Sequence, residues 1–335
     1  MEHDFRAIHE AAIVIDATCP LVMDQPNYID WYREGGATAI APTVGGWESA
    51  RNTLTTLSKW TRLLATRDDL VPVHRAADVE SAKRSGKMGI FLHFQGTDPI
   101  EGDLDLVYLY KALGVGVVQL AYNVKNRVGD GCEERTDAGL SKFGVSLVRR
   151  LNEAKVIVDC SHTGQRTSLD AVESSSAPVI LSHANARAVH DNPRNVRDEL
   201  IKAIASSGGI VGANGFPAFV AKGAKPSMQQ LIAHIDHVAE LVGVDHVSVG
   251  IDYYGAQAGV ISDEEATKFY EEYVRRGQWS RESYPPPPHH YPAGIETPKT
   301  LFNLTKGLLE RGYSVEDVRK ILGGNWMRVM RAVWG

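Results

Sequence analysis

Several features are scarce in this chain of 335 residues, and each scarcity excludes a class of protein. Only three cysteines occur, Cys19, Cys132 and Cys160, and no CxxC pair is present. Such a sparse, odd set argues against a disulfide-stabilised scaffold and fits a reducing compartment. No uninterrupted apolar run approaches the roughly 20 residues that a membrane-spanning helix requires. The polar start, MEHDFRAIHE, is not typical of a signal peptide, so the sequence predicts a cytoplasmic protein.

An excess of basic charge is also lacking. The chain carries 36 Lys and Arg against 41 Asp and Glu, a formal net charge of −5. With the two signs interspersed, this excludes the basic surface of a nucleic-acid-binding protein and a polybasic membrane-binding segment. Neither GxGxxG after a strand nor GxxxxGK[ST] is present, which disfavours the nucleotide-binding folds.

Short apolar segments alternate with helical patterns along the whole chain. About eight strand–helix units with nearly continuous apolar strands are typical of a parallel sheet, and their number favours a closed (β/α)8 barrel. We predict one α/β domain over residues 1–335, with a lid-like insertion at about 253–297 that contains QWSRESYPPPPHHYP. In this lid, Trp279, Tyr284 and Tyr291 either wall a pocket or pack onto the barrel, and His289 and His290 are expected to face solvent.

Two predicted strands end in the same way, at a Ser-His pair. VIVDCSH ends at His162 and PVILSH at His183. Adjacent parallel strands bring their carboxyl ends together, so the two imidazoles are expected to converge as the start of a metal site. Asp252 ends a later strand, and the three side chains together suit Zn²⁺ with an open position for water. Asp252 alternatively acts as general base or merely anchors a loop.

Other polar side chains stand at the same ends of predicted strands. Gln95, Tyr122 and Asn214 follow apolar segments, where each either faces the site or ties down a loop. Arg194, in HDNPRN after His183, is placed to bind a carboxylate in a bidentate manner or to form a surface ion pair.

The chain resembles the renal (membrane) dipeptidase family, peptidase family M19 of the amidohydrolase-like barrels. The resemblance rests on GLSKFGVSLVRRLNEAKVIVDCSH, PVILSHANARAVHDNPRNVRDEL, VSVGIDYYG and the terminal GGNWMRVMRAVWG. It implies a (β/α)8 barrel in which His162 and His183 match two ligands of one zinc ion of a binuclear pair. It also implies that Arg194 binds the substrate carboxylate and that Asp252 lies near the substrate amine and the catalytic water.

Three metal-ligand positions and one substrate-contacting position depart from the family pattern. The His-x-Asp ligand pair after the first strand is replaced by Thr18 and Pro20, and the bridging glutamate by Gln95. Tyr122 stands where the family has a substrate-contacting histidine. Because proline has no side-chain donor and neutral Gln bridges two cations poorly, the sequence predicts one metal ion on His162 and His183, completed by Gln95, Asp252 or water.

Three functions fit this altered site. The first is a hydrolase with one Zn²⁺ that cleaves an amide bond in a small carboxylate-bearing substrate. The second is a metal-free binding barrel, and the third is a metal-assisted lyase on the same scaffold. The expected partners are a small-molecule substrate and, through the lid or the segment WMRVMRAVW, a second copy in a homodimer; no nucleic acid or membrane is expected.

Overall fold

The computed structural model describes residues 4–23, 25–223 and 225–335. The strand segments of this part of the chain are β1 Ile15–Cys19, β2 Ala39–Gly45, β3 Leu70–Pro72, β4 Met88–Ile90, β5 Leu92–Phe94, β6 Val115–Gln119, β7 Ile157–Asp159, β8 Val179–Ile180, β9 Val211–Ala213 and β10 Val247–Val249. β4 and β5 are the two halves of one predicted strand, interrupted at Phe91. β3 pairs with β4 at an edge.

The predicted (β/α)8 barrel is confirmed. Neighbouring strands pair in parallel from β1 through β2, β5, β6 and β7 to β8, and β9 pairs in parallel with β10. A parallel bridge between Leu181 and Val211 joins β8 to β9. The backbone N–H of Ile251, just after β10, donates to Asp16 Oδ1 in β1 at 2.9 Å and links the last strand to the first.

Helices follow the strands and cover the sheet. Their bounds are α1 Phe5–Ala11, α2 Ile29–Glu34, α3 Ala50–Thr66, α4 Ala76–Ser85, α5 Leu106–Ala112, α6 Lys142–Glu153, α7 Gln165–Ser174, α8 Asp198–Ser206, α9 Pro217–Val220, α10 Met228–Val242, α11 Asp263–Arg275, α12 Phe302–Arg311, α13 Val315–Arg319 and α14 Asn325–Trp334. α10 begins at a capping box in which Ser227 and Gln230 cap each other's backbone. No helix in these described ranges is both long and apolar enough to cross a bilayer.

The barrel interior has two layers of buried side chains. The apolar layer packs against α14, and the polar layer lies nearer the carboxyl ends of the strands. Residues Phe91, Val117, Ile157 and Ile180 form one buried cluster with the aromatic side chains of α14. Side chains of a strand alternate between its two faces, so the residues two positions further along share the same interior. These are His93, Gln119, Asp159 and Ser182, all fully buried. The polar layer therefore lies between this apolar cluster, which acts as a plug, and the carboxyl ends of the strands.

The Trp326 side chain of α14 closes the lower end of this interior. It is fully buried in the cluster that contains Phe91, and the two rings are 6.0 Å apart between centroids. Trp326→Ala is expected to lower the free energy of unfolding by about 3–5 kcal/mol, because a large buried ring leaves a cavity. Urea denaturation measures this. The half-buried Trp31 is the matched control, and an equal loss for Trp31→Ala would contradict the plug role.

The lid differs in part from the prediction. The insertion contains a helix, α11, which begins at a capping box of Ser262 and Glu265. The expectation of solvent exposure for His289 is wrong. Its side chain is buried, and its Nε2 lies 2.8 Å from the carbonyl oxygen of Pro285. Tyr291 is buried as well and donates a hydrogen bond to the Asp252 carbonyl, so the lid packs onto the barrel.

Candidate active site

His162 and His183 converge at the carboxyl ends of β7 and β8. Their Nε2 atoms are 2.9 Å apart, and both side chains are buried. Tyr122, which follows β6, stacks on the His162 ring with 4.1 Å between centroids and 21° between planes. The sequence-predicted pair is therefore brought together, with an aromatic ring covering one face of it.

The protonation of His162 is set by Asn123. Its Nδ1 lies 2.7 Å from Asn123 Oδ1. The amide of Asn123 is oriented by its Nδ2, which donates to the carbonyl oxygen of Gln278 at 2.8 Å. An amide oxygen only accepts hydrogen bonds, so His162 carries its proton on Nδ1. The lone pair of neutral His162 is then on Nε2 and points at His183.

The protonation of His183 is set through Ser182. When the hydroxyl proton of Ser182 goes to the Asp159 carboxylate, Ser182 Oγ accepts from His183 Nδ1, 2.7 Å away. Burial acts to raise the pKa of Asp159, but the hydrogen bond and charge of His93 outweigh it and hold that pKa below its ordinary value. Asp159 is thus an acceptor only. Both Nε2 atoms then present lone pairs to each other.

Two facing lone pairs at this distance require a positive charge between them. Burial lowers the pKa of both imidazoles well below the ordinary value, and Arg194 lowers it further, which disfavours a shared extra proton. Two nitrogens bound to one tetrahedral Zn²⁺ are about 3.3–3.4 Å apart, from bond lengths of about 2.0–2.1 Å. Small rotations of the two imidazoles are enough to widen the observed Nε2–Nε2 distance of 2.9 Å to that value. The pair fits two ligands of one metal ion.

A second metal ion does not fit. Thr18 Oγ1 lies 3.0 Å from His183 Nδ1, so it supports the imidazole from behind. Pro20 offers no side-chain donor atom. Gln95 donates from Nε2 to Thr43 Oγ1 at 3.0 Å, which leaves only its neutral amide oxygen as a ligand. Within the described ranges, no group of three or more His, Cys, Asp or Glu side chains could hold a metal ion.

A cavity of about 170 Å³ opens on one side of His162. We call it the aromatic chamber. It is lined by rings from the lid and from the loops after four strands: Trp47, Tyr122, Phe216, Tyr254, Tyr273 and Trp279. Trp279 lies between Tyr273 and Tyr284, at centroid distances of 4.6 and 4.4 Å, and donates from Nε1 to the Tyr122 hydroxyl at 2.9 Å. The lid thus completes the chamber.

Asp252 brings a carboxylate to the aromatic chamber. Burial raises the pKa of its carboxyl to about 7, against the opposing effects of Arg194 and of a hydrogen bond from Asn214. That bond runs from Asn214 Nδ2 to Asp252 Oδ2 and is long, at 3.3 Å. Asn214 also ties down its own loop, because its Oδ1 accepts from the Phe216 N–H at 2.6 Å. Asp252 can therefore gain or lose a proton near neutral pH.

Arg194 lies on the other side of His162, in a second cavity of about 500 Å³. His162 lines both cavities. The Arg194 side chain is only 2% exposed, and one Nη donates to the carbonyl oxygen of His183 at 3.0 Å. Its Nε is buried without a partner, and no described carboxylate forms an ion pair with it. A buried cation of this kind is costly unless an anion joins it.

The backbone is left-handed at several positions of the site. Among the described residues, five non-glycine residues have positive φ, and Asn123, His162 and Asp252 are three of them, with φ of 57°, 60° and 62°. Left-handed backbone is unfavourable for most side chains and concentrates at functional sites. Sequence analysis did not identify Asn123 or Ser182 as site residues. Their signal was adjacency, since each directly neighbours a predicted site residue.

Asp16 is a second carboxyl with a raised pKa. It is fully buried below the site, and burial raises its pKa from the ordinary 3.8 to about 7. As the pH rises from about 4 to about 7, the unfolded chain releases this proton and the folded chain retains it, so the free energy of unfolding falls. Asp16→Asn keeps the acceptor for the Ile251 N–H and cannot ionise.

The Asp16→Asn variant should therefore match the wild type near pH 4 and exceed its free energy of unfolding at pH 8. The expected gain is up to about 4 kcal/mol, from about 1.4 kcal/mol for each pKa unit. Urea denaturation at both pH values measures it, with the exposed Asp191→Asn as control. A gain that is the same at both pH values would contradict the role of ionisation.

Comparison with known proteins places these residues in a family. The family model "Membrane dipeptidase (Peptidase family M19)" matches residues 32–283 and 288–334. The crystal structure of an amidohydrolase from Pseudomonas aeruginosa is 35% identical, with a TM-score of 0.90 over 99% of this chain and 100% of that chain. A metallo peptidase from Rhodobacter sphaeroides, liganded with a phosphinate mimic of L-Ala-D-Ala, shares the fold at 21% identity, with a TM-score of 0.78 over 96% of this chain and 100% of that one.

Among curated relatives, dipeptidase tcpJ of Claviceps purpurea (strain 20.1) is 29% identical over 289 residues. That match covers 85% of this chain but 60% of the relative, so the chain spans little more than half of its length. Because the family model covers almost the entire chain, the chain belongs to the membrane dipeptidase family, peptidase family M19.

Proposed function

We propose that this protein is a hydrolase that uses one divalent metal ion, with Zn²⁺ the best candidate, to cleave an amide bond in a small carboxylate-bearing substrate. The observation that carries the proposal is the convergence of His162 and His183, whose Nε2 atoms lie 2.9 Å apart. Membership of a family whose curated relatives include named dipeptidases supports hydrolysis.

The chain's own residues supply the other functions. Held by the two histidines, a zinc ion would act as a Lewis acid toward the amide carbonyl. Asp252 accepts and returns a proton, for which its raised pKa is suited. Arg194 binds the substrate carboxylate, because its guanidinium is buried and forms no ion pair with a described carboxylate. A substrate with its amide at His162 thus reaches Asp252 through one cavity and Arg194 through the other.

A metal-free binding barrel is the second candidate. It is favoured by the presence of Thr18, Pro20 and Gln95 where the family has metal ligands, and by the lack, in the described ranges, of a cluster of three ionisable metal ligands. In that case one histidine would donate a hydrogen bond to the other, and Ser182 would have to turn its proton away from Asp159.

Metal analysis of gently purified protein separates the two candidates. The first predicts close to one bound zinc per chain, or stoichiometric uptake on titration, and its loss in a His162→Ala, His183→Ala double variant. Protein that neither contains nor takes up a transition metal would exclude the metal-dependent hydrolase. A panel of dipeptides and N-acyl amino acids, assayed for released amine, then tests hydrolysis itself.

A further inference from the structure

The aromatic chamber is more specialised than a general amide site requires. We propose that it binds one aromatic ring that carries an ammonium group, so that the amine-bearing part of the substrate is an arylalkylamine or an aromatic amino acid. The inference deepens the proposed function and depends on it only for the identification of the bound molecule as a substrate. Three features of the chamber carry it: its size, its walls and its single carboxylate.

The size of the chamber suits one ring. Its volume of about 170 Å³ is close to the engineered cavity of about 150 Å³ that binds benzene in another protein. A wall of aromatic side chains contributes dispersion contacts and edge-to-face packing to a flat ligand. The walls are held in place without a ligand, because Trp279 is stacked on both faces and is hydrogen bonded to Tyr122. Such a preformed chamber binds a rigid ring with little ordering cost.

The charge of the chamber selects a cation. Asp252 is the one acidic residue among the described residues that line it, and no Lys or Arg is among them. From the described residues, the carboxylate accepts one hydrogen bond, the long one from Asn214, so it retains acceptor capacity toward the chamber. The hydroxyl of Tyr254 is buried with no partner in the same part of the chain and offers a further polar contact. An ammonium group pairs with the Asp252 carboxylate, whereas an anion would be repelled by it.

The second cavity contains a buried cation, Arg194, and this orients the substrate. Four arginines and three acidic residues line it, and Arg194 is the buried one of the arginines. His162 lies between the two cavities. A molecule with a ring and an ammonium group at one end and a carboxylate at the other is therefore bound in one direction only, with the intervening amide beside His162.

Calorimetric titration of the full chain with three probes tests the proposal without turnover. 2-Phenylethylammonium is expected to bind at least about ten-fold more tightly than n-butylammonium, which lacks the ring, and than 3-phenylpropanoate, which replaces the ammonium by a carboxylate. Equal binding of the butyl compound would overturn the aromatic specificity. Equal or tighter binding of the carboxylate would overturn the charge specificity.

Two substitutions locate the binding. Phe269 also lines the chamber and is 54% exposed, so its removal is tolerated by the fold. Phe269→Ala is expected to weaken 2-phenylethylammonium binding about five-fold. The equally exposed Tyr108 on α5 is the control, and Tyr108→Ala is expected to change nothing. Asp252→Asn should abolish the preference for ammonium over carboxylate. Unchanged binding in both chamber variants would overturn the proposal.

The outcome is independent of hydrolysis. If 2-phenylethylammonium binds as expected and no amide is cleaved, the proposed reaction fails and the assignment of the chamber stands. If aliphatic dipeptides are cleaved efficiently and the aromatic amine does not bind, the reaction stands and this assignment fails.

Discussion

His183→Asn is expected to abolish zinc uptake and to reduce amide hydrolysis by more than about 100-fold. Loss of a residue that only hydrogen bonds to a metal ligand costs about 10- to 100-fold, so a larger loss is expected for a ligand itself. The asparagine amide occupies the place of the imidazole Nδ1 and still donates to Ser182, so the buried polar layer keeps its hydrogen bond. What the variant loses is Nε2, one of the two lone pairs at 2.9 Å. Zinc content by mass spectrometry and initial rates at saturating metal measure the two effects.

A surface histidine provides the control for this substitution. His237 Nε2 lies 2.8 Å from Asp198 Oδ1, but the side chain is partly exposed and lines neither cavity. His237→Asn should retain both zinc and activity. Full zinc content in His183→Asn, with circular dichroism showing a native fold, would show that the ion, if present, is not held by this pair.

The repeated Ser-His strand ends explain why half of the site was visible in the sequence. Parallel strands in a barrel place their carboxyl ends on one rim, so His162, His183 and Asp252 could be assigned to that rim from strand periodicity alone. The same reasoning also placed Tyr122 beside them. The serines of the two pairs were equally visible, but their function depends on which neighbour receives the Ser182 proton, and this requires three-dimensional distances.

Other parts of the site depend on the path of the loops, which strand periodicity does not encode. The capping box of Ser262 and Glu265 was a readable local signal for α11, but nothing local shows that this helix brings Tyr273 against Trp279. His289 was expected to face solvent as a residue of the predicted lid. Its burial arises because the segment folds back onto the barrel, where its ring lies 4.9 Å from Phe216. Composition predicts exposure only on average, and a lid that closes a chamber departs from it.

Arg194 illustrates the limit of sequence reasoning. Its segment left open whether it binds a carboxylate or forms a surface ion pair, and the burial of its side chain argues against the surface ion pair. Because the guanidinium is buried beside two imidazoles, its charge lowers the pKa of both. It also opposes the rise in the Asp252 pKa. One buried cation thus links substrate binding to the protonation of the groups on either side.

Arg194→Met should therefore raise KM for a carboxylate-bearing substrate by about 30-fold or more, since truncation of one partner of a buried charge pair costs about 2–5 kcal/mol. It should also raise the pKa of Asp252 and move the acidic limb of the rate profile to higher pH. The free protein should be no less stable, because the lost hydrogen bond and the contact with Phe219 are offset by removal of an unpaired buried charge. The control is Arg187→Met. Arg187 lines the same cavity but is partly exposed and forms an ion pair with Asp191. An unchanged KM, or a KM effect without the shift in the pH profile, would show that Arg194 supports the loop rather than the substrate.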